Sequence, residues 1–215
     1  MNFKVVIFDL DGTLLNTLGD LNASTNYALE KYGYDKVTIE ETRNFIGNGI
    51  KKLIERSLKI NVNNFDDVFN TFKMHYKDNC CNLTNVYDGI YELLDYCKNK
   101  GIPIGVLSNK AQKPLEAVCD YYFKDYFDII VGDREDINKK PSIDGLVLVA
   151  NHYSIDIKDI LYIGDSEVDV KTVNNANCSG AFVSYGFRGK DVLKSIGANC
   201  IVDSPKEIID LLEVN

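Results

Sequence analysis

Two aspartates lie two residues apart where an apolar run meets a glycine, since residues 5–13 read VVIFDLDGT. A short apolar run of this kind is typical of a strand buried on both faces of a parallel sheet. Asp9 and Asp11 would then lie at the carboxyl end of that strand, where open α/β sheets bind their ligands. Two anions this close raise each other's pKa unless a cation lies between them, and carboxylate oxygens suit Mg²⁺. A simple Asp-Gly turn would explain Asp11 but not Asp9.

Polar residues also follow two later apolar runs. They are Ser108 and Asn109 in one place and Asp165, Ser166 and Asp169 in the other, with Lys140 before the intervening helix. Each has a plain alternative explanation. The serines could be helix N-caps, the later aspartates a capping pair, and Lys140 a solvated surface charge. Their joint occurrence at corresponding strand ends favours a single crevice.

Phosphoryl transfer from a monoester is the chemistry that uses such a set. One carboxylate attacks phosphorus, while Mg²⁺ offsets the repulsion between the two anions. A second carboxyl group donates a proton to the departing alkoxide and later removes one from water. A hydroxyl group and backbone N–H groups hold the phosphoryl oxygens, and a lysine balances their charge.

The elements that must position these residues fall into two groups. Residues 16–85 contain consecutive amphipathic helical patterns, whereas the remainder alternates helix with strand. Alternation of this kind predicts an α/β fold, a Rossmann-like parallel sheet flanked by helices. The expected strands cover residues 5–8, 102–107, 129–131, 160–163, 181–184 and 200–202, and the expected helices cover residues 88–99, 143–152 and 205–212, with another opening near Pro114. We therefore expect a catalytic core domain of residues 1–15 and 86–215, with an inserted helical domain of residues 16–85.

Composition narrows the partners and the compartment. The chain has 215 residues and a net charge of −8, which argues against a nucleic-acid surface. It has no apolar run of the roughly 20 residues that a membrane helix needs, and no signal-peptide pattern. We expect a cytoplasmic monomer or homodimer that acts on a small phosphorylated metabolite.

At these residues the sequence resembles the phosphatases of the haloacid dehalogenase superfamily. Four motifs occur in order: residues 9–13 (DLDGT), Ser108, Lys140 and residues 164–169 (GDSEVD). The resemblance implies that Asp9 is the nucleophile, Asp11 the general acid and base, and Lys140 a stabilising cation. It also implies Mg²⁺ ligands from the Asp9 side chain, the Asp11 carbonyl and Asp165, with Asp169 close behind. The insert after the first motif is typical of the helical (C1-type) cap class.

Within that class the chain resembles phosphoglycolate phosphatases and the related enzymes that cleave inorganic pyrophosphate. The similar segments are residues 45–49, 86–89, 108–110, 138–141 and 185–186. We expect Thr13, Ser108 and Asn109 to bind the substrate. The run Gly47-Asn48-Gly49 is expected to approach it with its backbone, although a helix–helix turn is an equal alternative. The candidate cations for a substrate carboxylate are Arg43, Lys51, Lys52 and Arg188.

Other activities remain open from the sequence. An inorganic pyrophosphatase of the same family, or a phosphotransferase like β-phosphoglucomutase, would use the same residues. Thr13 favours a phosphatase over the sugar mutases, which often carry an apolar residue there. A phospho-aspartate signalling switch would also gather acids, a hydroxyl and a lysine around Mg²⁺, but it has no helical insert.

Overall fold

The computed structural model describes residues 3–214. It divides into two compact units, which we call the core unit (Met1–Leu15 with Val86–Asn215) and the helical unit (Asn16–Asn85). Whether the two units are independent domains stays a prediction.

The strands in chain order are β1 (Val5–Phe8), β2 (Leu15–Asn16), β3 (Asn85–Val86), β4 (Ile104–Ala111), β5 (Ile129–Asp133), β6 (Ile160–Gly164), β7 (Ser179–Val183) and β8 (Ile201–Val202). The helices are α1 (Leu18–Lys31), α2 (Ile39–Phe45), α3 (Ile50–Leu58), α4 (Phe65–Asn79), α5 (Ile90–Asn99), α6 (Gln112–Phe123), α7 (Asp144–Tyr153), α8 (Glu167–Ala176), α9 (Gly189–Ser195) and α10 (Pro205–Val214). A 3₁₀ turn covers Ile157–Asp159.

The core unit contains a six-stranded parallel sheet in the order β5-β4-β1-β6-β7-β8. All four residues of β1 are fully buried, as expected for a central strand covered on both faces. Helices of the core unit pack against the strands. One packed cluster of the core includes Ile7, Leu107, Val131, Leu146, Val149, Tyr162, Val173 and Leu193. The predicted α/β fold with a parallel sheet is confirmed.

The register of the sheet aligns the end of β1 with its two neighbouring strands. Phe8 pairs with Val106 on β4 and with Ile163 on β6. The Asp9 N–H donates to the Ile163 carbonyl oxygen at 2.8 Å, so hydrogen bonding between β1 and β6 continues to the residue directly after β1. The chain therefore leaves all three strands at one edge of the sheet.

Several expected element bounds differ from the observed ones, and the structure shows the physical reason in α5 and β4. The helix expected from residue 88 begins at Ile90, because Gly89 adopts a left-handed φ of 84°. The strand expected over residues 102–107 covers Ile104–Ala111 instead. The strand begins later than expected because the Ile102 N–H still donates to the Cys97 carbonyl oxygen at the end of α5. It ends later because pairing with β5 resumes at Ala111 after a register shift.

The helical unit consists mainly of α1 to α4, and α1 packs along α4. The predicted apolar stripes supply buried residues in α1 (Leu21, Thr25, Ala28, Leu29), α3 (Leu53, Ile54, Leu58) and α4 (Val68, Phe72, Tyr76). The short strands β2 and β3 pair with each other in a separate two-stranded sheet. No helix within residues 3–214 is long and apolar enough to span a membrane.

A buried carboxylate fastens the two ends of the helical unit together. Asp20, near the start of α1, is 1% exposed. Its Oδ1 accepts from the Leu83 N–H at 2.9 Å, and its Oδ2 accepts from the Thr84 N–H at 2.9 Å and the Thr84 hydroxyl at 2.7 Å. Gly19 allows the approach, because a Cβ there would overlap Leu83. Asp20 therefore accepts hydrogen bonds from two backbone N–H groups and one hydroxyl at the far end of the helical unit.

We predict that Asp20→Asn lowers the free energy of unfolding by about 2–3 kcal/mol. The variant places an NH₂ group against donors and leaves at least one of them unsatisfied. Urea denaturation followed by circular dichroism measures the change. Asp66→Asn on α4 is the matched control, since Asp66 is exposed and its charge near a helix N-terminus contributes only about 0.5 kcal/mol. Equal effects of the two substitutions would contradict the prediction.

Candidate active site

Three buried carboxylates meet at the edge where β1 and β6 end. Asp9 follows β1, Asp165 follows β6, and Asp169 lies in the first turn of α8. They are 8%, 1% and 0% exposed, and one oxygen from each lies within 4.8 Å of the others. The structure thus brings together the three acidic side chains that the sequence predicted as metal ligands.

A glycine turn brings the first aspartates to this edge. Gly12 has a φ of 92°, a conformation that L side chains rarely adopt, and its N–H donates to the Leu15 carbonyl oxygen at 2.8 Å. A Cβ at Gly12 would also overlap Asp165 and Phe187. Gly12 is therefore needed both for its backbone angle and for close packing against an acidic residue of the site.

Lys140 provides the cation among these acids. Its Nζ lies 3.0 Å from Asp9 Oδ1 and 2.7 Å from Asp169 Oδ1, and it donates to the Tyr162 hydroxyl at 2.7 Å. The residue is only 6% exposed, so the alternative of a solvated surface charge is wrong. Asn109 donates from Nδ2 to the Lys140 carbonyl oxygen at 3.0 Å and so fixes the backbone that carries the ammonium.

Asp169 combines a helix-capping role with its place in the site. Its Oδ2 accepts from the Ser166 N–H at 3.1 Å and the Ser166 hydroxyl at 2.6 Å, with Ser166 as the N-cap of α8. The explanation of Ser166 as a helix N-cap is confirmed, but its capping partner is Asp169, so the expected capping pair of Asp165 with Asp169 is wrong. Asp169 Oδ1 accepts from Lys140 and from the Tyr162 hydroxyl at 2.8 Å. Because both oxygens already accept hydrogen bonds, Asp169 is held rigidly behind Asp9.

Asp165 is held by a loop from which the sequence analysis took only Arg188, as a candidate cation for the substrate. Its Oδ2 accepts from the Phe187 N–H at 2.7 Å, and Gly186 packs so closely that a Cβ would overlap Asp165. Arg188 anchors the loop through Glu167, with nitrogen–oxygen distances of 2.7 and 3.2 Å. Arg188 is therefore paired within the core unit. The contact of the Phe187 N–H with Asp165 was not predicted, and the similarity at residues 185–186 was the only sequence signal near it.

Burial and mutual repulsion disfavour the charged forms of Asp9 and Asp165. Burial raises the pKa of Asp9 to about 7, against the opposing effect of Lys140 and with the repulsion of Asp169 and Asp11 added. Burial, Asp169 and Asp9 also raise the pKa of Asp165 well above its ordinary value. Three carboxylates share one ammonium here, so a hard divalent cation with oxygen ligands would offset the excess negative charge. The donor set fits such a metal ion.

Two hydroxyl groups of the core unit complete the predicted set. Ser108 is 4% exposed and lies within β4, whereas α6 begins only at Gln112, so the alternative of a Ser108 helix cap is wrong. Thr13 is fully buried, and its hydroxyl has no hydrogen-bond partner among residues 3–214. The substrate-binding roles of Thr13, Ser108 and Asn109 stay predictions.

Lys110 is a second buried lysine, and the sequence analysis gave it no role. Its Nζ lies 3.2 Å from Asp11 Oδ1 and 3.4 Å from Asp11 Oδ2. Only the similarity of the segment 108–110 marked it in the sequence. The structure places Lys110 in the site because β4 extends beyond Leu107 and includes it.

The run 47–49 lies in the helical unit and joins α2 to α3. Gly47 and Gly49 have φ values of 111° and 84°. Arg56 closes the turn, with Nη2 donating to Asn48 Oδ1 and Nη1 to the Phe45 carbonyl oxygen, both at 2.7 Å. The run thus forms a helix–helix turn, and its role toward a substrate stays a prediction.

The remaining candidate cations also lie in the helical unit. Arg43 Nη2 lies 3.5 Å from Glu40, and Lys52 Nζ lies 2.6 Å from Glu55. Lys51 Nζ lies 5.9 Å from the centre of the Phe65 ring.

Comparison with known proteins agrees with this geometry. The family model of the haloacid dehalogenase-like hydrolases matches residues 6–183. A phosphoglycolate phosphatase of Nitrosococcus oceani is 30% identical over 97% of this chain and 96% of its own. An N-acetylmuramic acid 6-phosphate phosphatase of Pseudomonas aeruginosa is 29% identical over 99% and 96%. A crystal structure from Lactobacillus delbrueckii subsp. bulgaricus superposes with a TM-score of 0.94 at 29% identity, covering 99% of each chain.

The family match includes residues 6–8 of β1, the residues around Lys140 and the acidic turn after β6. Similarity to phosphoglycolate phosphatases extends over nearly the whole chain, at modest identity. The chain belongs to the haloacid dehalogenase-like hydrolases and is an enzyme of that family.

Proposed function

We propose that this enzyme is a Mg²⁺-dependent phosphatase that hydrolyses a small phosphate monoester, with phosphoglycolate as the favoured substrate. The observation that carries the proposal is the buried Asp9 carboxylate. It lies 3.0 Å from the Lys140 ammonium, beside Asp165 and two residues before Asp11. Relatives named phosphoglycolate phosphatase support the choice of substrate.

Asp9 is the proposed nucleophile. An Asp9 oxygen forms a bond to phosphorus while the ester P–O bond breaks, which leaves an aspartyl-phosphate and the departing alkoxide. Lys140 stabilises both the carboxylate and the phosphoryl oxygens, while Ser108 donates its hydroxyl hydrogen to one of them. The fixed position of Lys140 between Asp9 and Asp169 requires little rearrangement as charge moves onto the phosphoryl group.

Asp11 is the proposed proton carrier. Its carboxyl group protonates the leaving alkoxide, and the resulting carboxylate removes a proton from the water that attacks the aspartyl-phosphate. Orthophosphate is released and Asp9 is regenerated. One group performs both transfers in turn, so the proton taken from water restores the acid.

Asp9, the Asp11 carbonyl and Asp165 are the proposed metal ligands, with Asp169 behind them. Mg²⁺, when bound, supplies positive charge to the phosphoryl oxygens and to Asp9. The Phe187 N–H fixes the Asp165 carboxylate, so this ligand is oriented by the fold. We further propose a cytoplasmic enzyme, monomeric or homodimeric, whose partner is a small phosphorylated metabolite rather than nucleic acid or membrane.

A phosphate-release screen tests the substrate. The screen compares phosphoglycolate, pyrophosphate, N-acetylmuramic acid 6-phosphate, sugar phosphates and nucleoside monophosphates. We expect the highest kcat/KM for phosphoglycolate, with stoichiometric orthophosphate. A preference for pyrophosphate would favour a pyrophosphatase, and an isomerised sugar phosphate in excess of orthophosphate would identify a mutase. Persistent labelling of the protein without turnover would favour a signalling switch.

We predict that chelation by EDTA abolishes phosphate release and that added Mg²⁺ restores it. In Asp165→Asn the Mg²⁺ concentration for half-maximal activity should rise at least about 10-fold, since a charged ligand becomes neutral. Magnesium titrations of the initial rate measure this. Asp136→Asn, an exposed carboxylate of the core unit, should leave the requirement unchanged. Full activity in EDTA would contradict the prediction.

We predict that Asp9→Asn abolishes turnover while the circular dichroism spectrum stays unchanged, because an amide is a poor nucleophile. Asp11→Asn should still form the aspartyl-phosphate from p-nitrophenyl phosphate, whose leaving group needs little protonation, and should hydrolyse it slowly. A burst of p-nitrophenol followed by slow release is therefore expected in Asp11→Asn alone. Substantial steady-state activity in Asp9→Asn would refute the mechanism.

A further inference from the structure

Lys110 combines a deeply buried cation with close contact to Asp11. Its side chain is 4% exposed, whereas that of Asp11 is 20% exposed. The ammonium lies at similar distances from both Asp11 oxygens, 3.2 and 3.4 Å. A buried ammonium is costly unless an anion lies beside it, so this contact is a constraint on both side chains.

The backbone around Lys110 is fixed by its neighbours. The Lys110 N–H donates to the Ser108 hydroxyl oxygen at 3.3 Å. Gly132 on β5 approaches so closely that a Cβ there would lie 2.8 Å from the Lys110 carbonyl oxygen. The register shift between Leu107 and Ala111 allows this part of β4 to turn out of the regular ladder. The ammonium is therefore presented to Asp11 from a rigid strand end.

A group that transfers protons must be held in the correct orientation as well as be present in the site. Asp11 is partly exposed, and a short carboxylate in that setting has several accessible rotamers. An ammonium that contacts both oxygens restricts those rotamers. Misplacement of a reacting group by about 1 Å can cost roughly 100-fold in rate. The contact thus has a direct kinetic consequence for a group that transfers protons.

We infer that Lys110 is a positioning residue that orients the Asp11 carboxyl group for proton transfer. The inference rests on the proposed function, in which Asp11 is the general acid and base. Lys110 acts through Asp11 and does not itself contact the reacting atoms. The closing experiment separates this role from substrate binding and from structural support.

The experiment compares kcat/KM of Lys110→Met with that of the wild type for three esters. These are phosphoglycolate, the alkyl analogue 2-hydroxyethyl phosphate, which lacks the carboxylate, and p-nitrophenyl phosphate. For this mechanism kcat/KM reports the steps up to departure of the leaving group. We expect a roughly 10- to 100-fold loss for both alkyl esters, whose leaving groups need a proton. For p-nitrophenyl phosphate the loss should stay within about threefold.

The alternatives predict other patterns. A loss for phosphoglycolate alone would mean that Lys110 binds the substrate carboxylate, and an equal loss for all three esters would mean structural support. Either result would overturn the inference. Lys4→Met is the matched control, since it removes the ammonium of the exposed Lys4–Asp159 pair of the core unit, and it should leave all three values unchanged. Failure of the wild type to release phosphate from any ester would instead refute the proposed function and the inference together.

A double-mutant comparison covers the case in which Lys110→Met folds poorly. If Lys110 acts through Asp11, adding Lys110→Gln to Asp11→Asn should cause no further loss of kcat/KM for p-nitrophenyl phosphate or the alkyl esters. A further loss of 10-fold or more would show a role independent of Asp11 and overturn the inference.

Discussion

Three buried carboxylates share one ammonium at the carboxyl edge of the sheet, and the arrangement of the site depends on that excess of negative charge. Burial of an unpaired carboxylate is strongly unfavourable, so Asp9, Asp165 and Asp169 require neighbouring donors or cations. Lys140 contacts two of them, and backbone or hydroxyl donors hold the acids behind it. The remaining negative charge is what makes a divalent cation fit.

The fold provides these contacts from elements far apart in the chain. The register of β1 with β4 and β6 places the ends of three strands at one edge, and α8 begins directly beneath the acidic turn. Tyr162 links two layers of the site, since its hydroxyl accepts from Lys140 and donates to Asp169. A single tyrosine within a buried strand thereby fixes the cation in relation to the acid that neutralises it.

Glycine determines how closely the loops can approach the acids. Gly12 and Gly186 both pack against Asp165, and a side chain at either position would displace it. The loop that contains Gly186 ends at Arg188, and the pairing of Arg188 with Glu167 anchors this loop at the start of α8. Asp165 is thus oriented by residues on both sides, which is the geometry expected where a ligand must be held before its metal arrives.

Sequence alone determined the features that depend on local pattern and residue type. The apolar run ending in Asp9 predicted a central parallel strand, and that prediction is confirmed because complete burial leaves an unbroken apolar signature. Asp9, Asp165, Asp169 and Lys140 were recognisable from the sequence because acidic residues and a lysine seldom occur together near the ends of successive strands unless they form a site. The tertiary structure decided the extension of β4, the Lys110–Asp11 contact and the Phe187 N–H on Asp165. These depend on distances between segments about 100 and 20 residues apart, which register and packing set and which no local pattern encodes.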